Sequence, residues 1–259
     1  MPELPEVETL CRQLKKTALF MEILDARVFD PKLMPLDRLK GTKIIATCRE
    51  GKSIKMTLAS GMEFLLHLRM TGRLLWQGKD SPLPSHARFT VSFENGILVC
   101  IDPRRFATVC IQHPQYFTSA AIDPLSSFLP QQLSTLAERR SLPIKNFLME
   151  QGVIGGIGNI YACEILHEAA INPSRKAKSL SATEWEKIAQ ATHSILKRAI
   201  CCRGTTISDW RDLFGQKGTY QAYLKVYARE GQKCLRCNAV IHRASLSGRG
   251  TYYCPSCQR

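Results

Sequence analysis

The sequence contains no long apolar run and has a deficit of acidic residues. No stretch approaches the 18 consecutive apolar residues that suggest a membrane-spanning helix, and neither a basic nor an apolar signal segment opens the chain, which begins MPELPEVET. We therefore expect neither membrane insertion nor secretion. The 22 Asp and Glu residues are outnumbered by 36 Lys and Arg residues, which gives a formal charge of +14. Such an excess favours a polyanionic partner, most often nucleic acid, with an anionic membrane surface as the second choice.

Several common catalytic motifs are also missing. The chain has no G-x-S-x-G elbow and no GxxxxGK[ST] phosphate loop, and His167-Glu168 does not continue as H-E-x-x-H. It has no internal repeat or low-complexity tract. A composition of 44% hydrophobic and 22% charged residues is typical of a globular protein, and 259 residues suffice for one large or two small domains.

Four of the eleven cysteines have the spacing of a metal site. Cys234, Cys237, Cys254 and Cys257 form C-x2-C-x16-C-x2-C, and the intervening residues suffice for a β-hairpin that brings the two pairs together. We predict one structural Zn²⁺, because four protein ligands leave no coordination position for water. The other seven cysteines lie mostly among apolar neighbours, and we interpret them as small core residues in a reducing cytoplasm.

Residues 1–118 combine one predicted helix with several predicted strands. Pro5 suits a first helical turn, and apolar residues then recur at helical spacing to Leu14. Apolar and polar residues alternate at 54–58 and 89–93, and Asn95-Gly96 predicts a hairpin turn. This part of the chain is predicted to be a β-sandwich or barrel carrying an N-terminal helix. A proline-interrupted linker is expected at 119–130.

After the linker, the pattern becomes helical. Ser181 and Glu184 form a capping box ahead of a long apolar face, and shorter helices are predicted at 144–150 and 159–169. The glycine-rich loop between these two is either a flexible turn or a phosphate-binding set of backbone N–H groups. We assign 131–224 to a helical domain and 225–259, with a net charge of +6, to the zinc hairpin. The predicted fold class is multidomain α+β.

The N-terminus is the most informative candidate site. Removal of Met1 would expose the secondary α-amine of Pro2, and because an α-amine titrates near ~8, a useful fraction is neutral at neutral pH. Attack of this amine on a sugar aldehydic carbon would give an iminium ion that acts as an electron sink for elimination. Glu3 and Glu6 lie beside it in the sequence and suit acid–base roles. The alternative is structural, since proline and glutamate are also common at helix starts.

Five motifs, in order along the whole chain, resemble those of bacterial formamidopyrimidine-DNA glycosylases. They are Pro2-Glu3-Leu4-Pro5-Glu6-Val7-Glu8-Thr9, His67-Leu68-Arg69-Met70-Thr71-Gly72, Asp102-Pro103-Arg104-Arg105-Phe106, Gly158-Asn159-Ile160-Tyr161-Ala162, and the zinc cysteines with Arg249-Gly250-Thr251 between them. The resemblance implies an N-terminal β-sandwich, a helix-two-turn-helix domain and a C-terminal zinc finger, with DNA in the cleft between the lobes. It also implies a monomeric base-excision-repair enzyme of the bacterial cytoplasm, associated with the nucleoid through DNA.

The resemblance also implies catalytic roles. Pro2 would be the Schiff-base nucleophile at C1′ of the damaged nucleotide, and Glu3 would handle protons at the opening sugar ring. Lys52 would assist β-elimination, while Arg249 would grip the lesion phosphates and assist δ-elimination. The expected activity is that of a bifunctional glycosylase and apurinic/apyrimidinic lyase that excises oxidised purines, 8-oxoguanine and formamidopyrimidines, from duplex DNA.

Three further residues match the family's insertion residues. Met70 and Phe106 would wedge into the gap left by an everted base, and Arg104 would hydrogen-bond to the orphaned base. Without the resemblance, Met70 and Phe106 would be interpreted as core residues at a strand end.

Four residues match the family's phosphate contacts. These are His86, Arg140, Lys145 and Asn159. The simpler interpretation of Arg140 and Lys145 is a solvated helix face, and Asn159 is also a plausible helix cap.

Some positions depart from the usual pattern of the family. Ala107 and Ala228 replace glycine, and the loop at 215–220 differs from its common sequence. Lesion preference is therefore the least determined expectation. One alternative is an endonuclease VIII-like enzyme for oxidised pyrimidines, although that branch usually has glycine where Leu4 stands. Another is a non-catalytic damaged-DNA-binding zinc-finger protein, against which Pro2, Glu3 and Lys52 argue.

Overall fold

The computed structural model describes residues 1–113, 121–126 and 128–259. The chain forms two compact units, one of Met1–Ser119 with Cys202–Gln221 and the other of Ala120–Cys201 with Ala222–Arg259. Part of the predicted linker, residues 119, 120 and 127, lies outside the described residues. No helix in the described part of the chain is long and apolar enough to cross a membrane.

The order of helices and strands follows the sequence prediction: one helix is followed by strands, then by helices and a final hairpin. The first unit contains α1 (Leu4–Thr17), β1 (Asp25–Val28), β2 (Ile44–Glu50), β3 (Ser53–Leu58), β4 (Glu63–His67), β5 (Arg73–Gln77), β6 (Ala87–Phe93), β7 (Gly96–Ile101) and β8 (Thr108–Gln112). The second unit contains α2 (Pro130–Glu138), α3 (Ile144–Leu148), α4 (Asn159–Glu168), α5 (Ala182–Cys201), β9 (His242–Leu246) and β10 (Arg249–Tyr253).

The strands of the first unit form a sandwich. Two antiparallel sheets have the orders β1-β6-β7-β5 and β2-β3-β4-β8. Alternate residues of β3 are buried, and Phe64 of one sheet meets Phe89 of the other edge-to-face, with ring centroids 6.0 Å apart. The sandwich prediction is confirmed. The core between the sheets also receives the apolar face of α1, including Leu10 and Leu14.

The predicted hairpin at Asn95-Gly96 joins β6 to β7. Glycine is required there, because a Cβ on Gly96 would lie 2.5 Å from Nε1 of Trp76. The Trp76 ring in turn stacks on Phe93, with centroids 5.3 Å apart. The sequence signal for the turn therefore coincides with a packing constraint on its second residue.

The second unit is built on α4 and α5. The predicted capping box is present, since the Ser181 N–H donates to the Glu184 carboxylate at 2.9 Å and the Glu184 N–H donates to Ser181 Oγ at 3.3 Å. Trp185, in the first turn of α5, is buried and meets Phe147 of α3 edge-to-face at 5.5 Å. The zinc segment forms the antiparallel hairpin β9–β10.

One segment packs differently from its sequence assignment. Residues 202–221 were expected within the helical domain, but they belong to the first unit. The Thr205 N–H donates to Glu6 of α1 at 2.7 Å, the Leu213 N–H donates to Gln13 Oε1 at 3.0 Å, and the Leu213 carbonyl accepts from the Trp76 N–H at 2.8 Å. These partners lie 137 to 200 residues away along the chain, so local periodicity does not reveal them.

The interpretation of seven cysteines as core residues is wrong for several of them. Cys11, Cys100 and Cys163 are buried, whereas Cys48 and Cys201 are exposed. Cys48 lies on β2 next to the buried Thr47, so its side chain faces away from the core. None of the eleven cysteines, all of which are described, forms a disulfide.

Candidate functional site

Pro2 and Glu3 lie at the start of α1 and are buried. Glu3 is the N-cap residue, and its backbone N–H donates to Glu6 Oε2 at 2.8 Å in a capping box. Glu3 therefore has the structural role of a helix N-cap. Capping fixes the backbone that carries Pro2 and is compatible with chemistry at the Pro2 nitrogen.

Lys52 occupies the tight turn between β2 and β3 and is 7% exposed. Gly51 precedes it with φ of +57°, a conformation that glycine adopts readily. His67 on β4 lies within range of the Lys52 charge. Burial, together with the charges of Arg69 and Lys52, lowers the pKa of His67 to about 4. His67 is therefore neutral near neutral pH, and its Nδ1 accepts the Arg69 N–H at 3.0 Å.

Met70, Arg104 and Phe106 come together on the surface of the first unit. The Arg104 guanidinium lies 4.5 Å from the Phe106 ring centroid, and its Nη1 is 3.7 Å from Met70 Sδ. Met70 is 52% exposed and Phe106 is 44% exposed, so the interpretation of both as core residues is wrong. The three side chains form an exposed group with two apolar members and one cation.

The buried carboxylate of Asp102 holds the loop that presents this group. It accepts the backbone N–H groups of Phe106 at 2.6 Å, Ala107 at 2.7 Å and Arg104 at 3.2 Å. It also accepts the Thr71 hydroxyl at 2.5 Å, which ties in the loop that carries Met70. Burial alone would raise the pKa of Asp102, but these hydrogen bonds outweigh burial and lower it.

A second buried carboxylate extends this network. The Arg88 guanidinium lies between Asp102, at 3.3 Å, and Asp30, with which it forms a closer ion pair. Arg105, which has a φ of +58°, also contacts Asp30 through Nε at 2.9 Å and Nη2 at 2.5 Å. The guanidinium of Arg105 lowers the pKa of Asp30 to about 2. Arg105 itself stays exposed, and its guanidinium is held against the buried Asp30 carboxylate.

In the second unit, Lys145 and Asn159 converge on the zinc hairpin. Lys145 Nζ donates to Thr251 Oγ1 at 2.7 Å, and Asn159 Nδ2 donates to the Gly250 carbonyl at 2.9 Å. Arg249, immediately before Gly250, is exposed. The structure thus anchors Lys145 and Asn159 to the strand that carries Arg249.

Two simpler interpretations fail for Lys145 and Asn159. Lys145 is 1% exposed, so it is not on a solvated helix face, because the β10 strand covers it. Asn159 is not the helix cap, since Gly158 occupies the N-cap position of α4 and the Asn159 amide reaches the hairpin instead.

The remaining predicted contacts are His86 in the first unit and Arg140 in the second. His86 is exposed in the loop before β6 with φ of +62°, and its carbonyl accepts the Asp102 N–H at 3.0 Å. Arg140 follows α2 and lies 3.7 Å from Glu150, with its guanidinium 5.9 Å from the Phe147 ring centroid. The glycine loop at 152–158 is mostly buried, and Gln151 accepts the Gly156 N–H at 3.0 Å, so the loop is packed against its neighbours rather than exposed.

The four zinc cysteines form one cluster. The sulfur atoms of Cys234, Cys237, Cys254 and Cys257 all lie within 4.8 Å of one another. Zn–S bonds of about 2.3 Å in a tetrahedron separate sulfurs by just under 4 Å, so the cluster fits one ion. Four thiolates satisfy the coordination of zinc, which makes the site structural. The zinc prediction is confirmed by this geometry.

The sequence did not point to Asp102, Asp30 or Arg88 as organising residues. The only local signal is that Asp102 accepts the N–H two residues ahead, a common turn pattern of aspartate. The pairing of Asp102 with Arg88 and of Asp30 with Arg105 depends on the sheet, and no local pattern encodes it.

Three family profiles match the chain in sequence order. They are the formamidopyrimidine-DNA glycosylase N-terminal domain at residues 1–109, the formamidopyrimidine-DNA glycosylase H2TH domain at 121–210, and a zinc finger found in FPG and IleRS at 231–259. Together they account for most of the chain.

Full-length relatives agree with these profiles. A formamidopyrimidine-DNA glycosylase of Carboxydothermus hydrogenoformans is 39% identical over 267 residues, covering all of both chains. The solved structure of MutM in complex with DNA containing carbocyclic 8-oxo-G has a TM-score of 0.92 and is 31% identical, with full coverage of both chains. A complex of Lactococcus lactis Fpg with DNA containing an abasic site has a TM-score of 0.91 and is 30% identical, with 99% coverage of each chain. With the sandwich, the helical unit and the four-cysteine hairpin in the same order, the chain belongs to the formamidopyrimidine-DNA glycosylase family.

Proposed function

We propose that the protein is a bifunctional DNA glycosylase and apurinic/apyrimidinic lyase that excises oxidised purines from duplex DNA. The observation that carries this proposal is the exposed group of Met70, Arg104 and Phe106. Two large apolar side chains beside a guanidinium, on two loops that the buried Asp102 carboxylate joins, suit a transiently opened base stack. The relatives bound to 8-oxo-G and abasic-site DNA supply the substrate class.

The chemistry is assigned to Pro2 and Glu3. With Met1 removed, the Pro2 nitrogen attacks C1′, the N-glycosidic bond breaks, and the base leaves with a proton delivered through the site. The C1′–O4′ bond then breaks, with O4′ taking up a proton that Glu3 supplies, and the cationic iminium ion left at C1′ accepts the electron pair released when the C2′ proton is lost. The 3′ phosphate then departs in β-elimination, and the 5′ phosphate follows in δ-elimination. Glu3 handles protons at the opening sugar ring.

The other basic residues serve these steps. Lys52 assists β-elimination, while Arg249 grips the lesion phosphates and assists δ-elimination. Lys145, Asn159, Arg140 and His86 bind the DNA backbone. The buried position of Lys145 beneath the hairpin supports a role in holding Arg249 and Gly250 near phosphate oxygens, in addition to any direct contact.

The proposal also assigns parts of the chain and a compartment. We infer that residues 1–118 are the catalytic domain, that 119–130 are a linker, that 131–224 bind DNA, and that 225–259 form the zinc finger. The segment 202–221 packs with the catalytic residues' own unit, which supports a role in lesion recognition for it. We place the protein in the bacterial cytoplasm, on the nucleoid, as a monomer.

Borohydride trapping tests the proposal. Met1-processed protein, verified by intact mass, should become covalently linked through Pro2 to duplex DNA containing 8-oxoguanine or an abasic site. Pro2→Gly should still bind this DNA but form the adduct more slowly, because a primary amine can form an imine.

Three outcomes would contradict the proposal or one of its assignments. DNA binding without any adduct would indicate a non-catalytic binding protein. Faster excision of oxidised pyrimidines than of 8-oxoguanine would indicate the endonuclease VIII-like alternative. Loss of binding in Pro2→Gly would mean that Pro2 is mainly structural.

A further inference from the structure

A buried histidine touches the zinc cluster from outside. His167 lies in the last turn of α4 and is completely buried, and its Nε2 is 3.5 Å from Cys234 Sγ. Neither the four-cysteine spacing nor the tetrahedral geometry requires this residue, because the cysteines complete the coordination of the ion.

The surroundings of the His167 ring determine which of its nitrogens carries the proton. His167 Nδ1 has no hydrogen-bond partner among the described residues. A proton on Nδ1 would therefore be a buried donor without an acceptor, and the Nε2 lone pair would face a sulfur that is negatively charged when it binds zinc. A proton on Nε2 instead points at that sulfur and gives an attractive N–H···S contact.

We propose that His167 is an outer-shell hydrogen-bond donor to the zinc-bound thiolate of Cys234. The same sulfur receives the Arg236 N–H at 3.4 Å, so two donors withdraw charge from it. Charge withdrawal makes the thiolate less easily alkylated and slows its dissociation from the ion. Partners of this kind commonly tune metal affinity as well as orienting the ligands.

The contact also links the metal centre to α4. The His167 carbonyl accepts Arg236 Nη1 at 3.1 Å, and Glu164, one turn earlier, accepts the backbone N–H groups of Val226 and Tyr227 at 2.9 and 2.8 Å. At its other end, α4 carries Asn159, bonded to Gly250 of the hairpin. His167 is therefore a positioning residue that ties the zinc ion to the helix on which the hairpin is seated.

Zinc release from the full chain tests the proposal. Zinc-loaded His167→Phe keeps a ring but no donor, and it should lose zinc to excess chelator about 10–100-fold faster than the unsubstituted protein. In His167→Gln, the amide Nε2 takes the place of the imidazole Nε2, and most of the protection should return. The exposed His193 on α5 provides the matched control, and His193→Phe should release zinc at the unsubstituted rate.

A measurement on the unsubstituted protein keeps the proposal testable if His167→Phe does not fold. Cadmium-substituted protein with isotopically labelled histidine should show the Nε2–H tautomer of His167 and a scalar coupling between its proton and the metal. An Nδ1–H tautomer without coupling overturns the proposal. Equal zinc release from His167→Phe and the unsubstituted protein also overturns it, as does equally fast release from His167→Phe and His167→Gln, which would indicate a packing role.

Discussion

Asp102 accounts for much of the order around Met70, Arg104 and Phe106. Its carboxylate has no exposure to solvent, yet it accepts donors from two loops and from Arg88. The side chains that it organises point into solvent, whereas the carboxylate that fixes their loops is fully buried. Removing one member of a buried ion pair leaves the other charge uncompensated, which is more costly than losing one surface contact.

Asp102→Asn should destabilise the first unit by about 3–5 kcal/mol, because Arg88 loses a buried partner and the new amide group faces backbone donors. Urea unfolding of the full chain measures this change. The exposed Asp80→Asn is the matched control and should stay within about 0.5 kcal/mol. An Asp102→Asn protein as stable as the control would show that the network contributes little.

His67 should make the first unit sensitive to mild acid. Because burial and the charges of Arg69 and Lys52 lower its pKa from 6.5 to about 4, the unfolded chain takes up the proton more readily between these values. The contribution of neutral His67 to the free energy of unfolding is fully present above pH 6.5 and is lost as the pH falls from there towards about 4. His67→Asn keeps an acceptor for the Arg69 N–H and should flatten this dependence, measured by urea midpoints above and within the window. An unchanged slope, equal to that of His193→Asn, would contradict the assignment.

For single residues, some ligand roles can be predicted from the sequence, but burial often cannot. The zinc cysteines are recognisable because their spacing alone brings the ligands together. Lys145, by contrast, reads as a surface lysine until β10, more than 100 residues away, is placed over it. Met70 and Phe106 are predicted to be core residues from their apolar character alone, but that character does not indicate which strand ends are left exposed. Residue type predicts chemistry, whereas burial depends on distant partners.

At the scale of elements, the segment 202–221 depends on close backbone approaches. A Cβ on Gly218 would lie 2.3 Å from the Gly204 carbonyl oxygen, and a Cβ on Gly204 would meet the Glu6 carboxylate. Glycine at these positions lets the segment fold tightly upon itself and against α1. The segment is thereby joined to the helix that begins beside Pro2.

Gly218→Ala should loosen this segment. Since the obstructing atom belongs to the backbone, the strain cannot be relieved by a side-chain rotation, and we expect a loss of about 1–3 kcal/mol. Hydrogen exchange of residues 202–221 should rise with it. Gly152→Ala is the control, because nothing lies within 4 Å of a Cβ there. Equal exchange and stability in both variants would mean that the contact relaxes without strain.

Elements with a strong local period are the ones that the sequence predicts. Helix α1, strands β3 and β6, and the capped helix α5 all follow from spacing and turn residues. Strand β8 was not predicted, because its five residues, TVCIQ, have little apolar alternation and its pairing partner β4 lies about 45 residues earlier. Short strands of this kind are defined by their neighbours in the sheet.

At the scale of the whole molecule, the structure shows where part of the +14 charge lies. The zinc segment from residue 225 onward carries +6 of it, and Lys145 and Asn159 meet that segment at Gly250. Basic side chains that replace condensed counterions on DNA give affinity that depends on salt and little on sequence. The excess therefore suits a search over long stretches of undamaged DNA.

Arg249→Gln should weaken binding to undamaged duplex and reduce the slope of log affinity against log salt by about 1. Lys197→Gln on the exposed face of α5 removes the same charge from the molecule and serves as the control. Fluorescence anisotropy at several salt concentrations measures both. If the two variants lose the same affinity and slope, the total charge matters and the position of Arg249 does not.

The three tryptophans are divided between the two units. Trp76, stacked on Phe93, and Trp210, whose Nε1 donates to the Arg203 carbonyl at 3.0 Å, belong to the first unit, whereas Trp185 is buried in the second. Each unit thus contains its own intrinsic fluorophore. A Trp185→Phe variant would emit only from the sandwich, and a Trp76→Phe, Trp210→Phe variant only from the helical unit, so the melting of each can be followed in the intact chain without an added label.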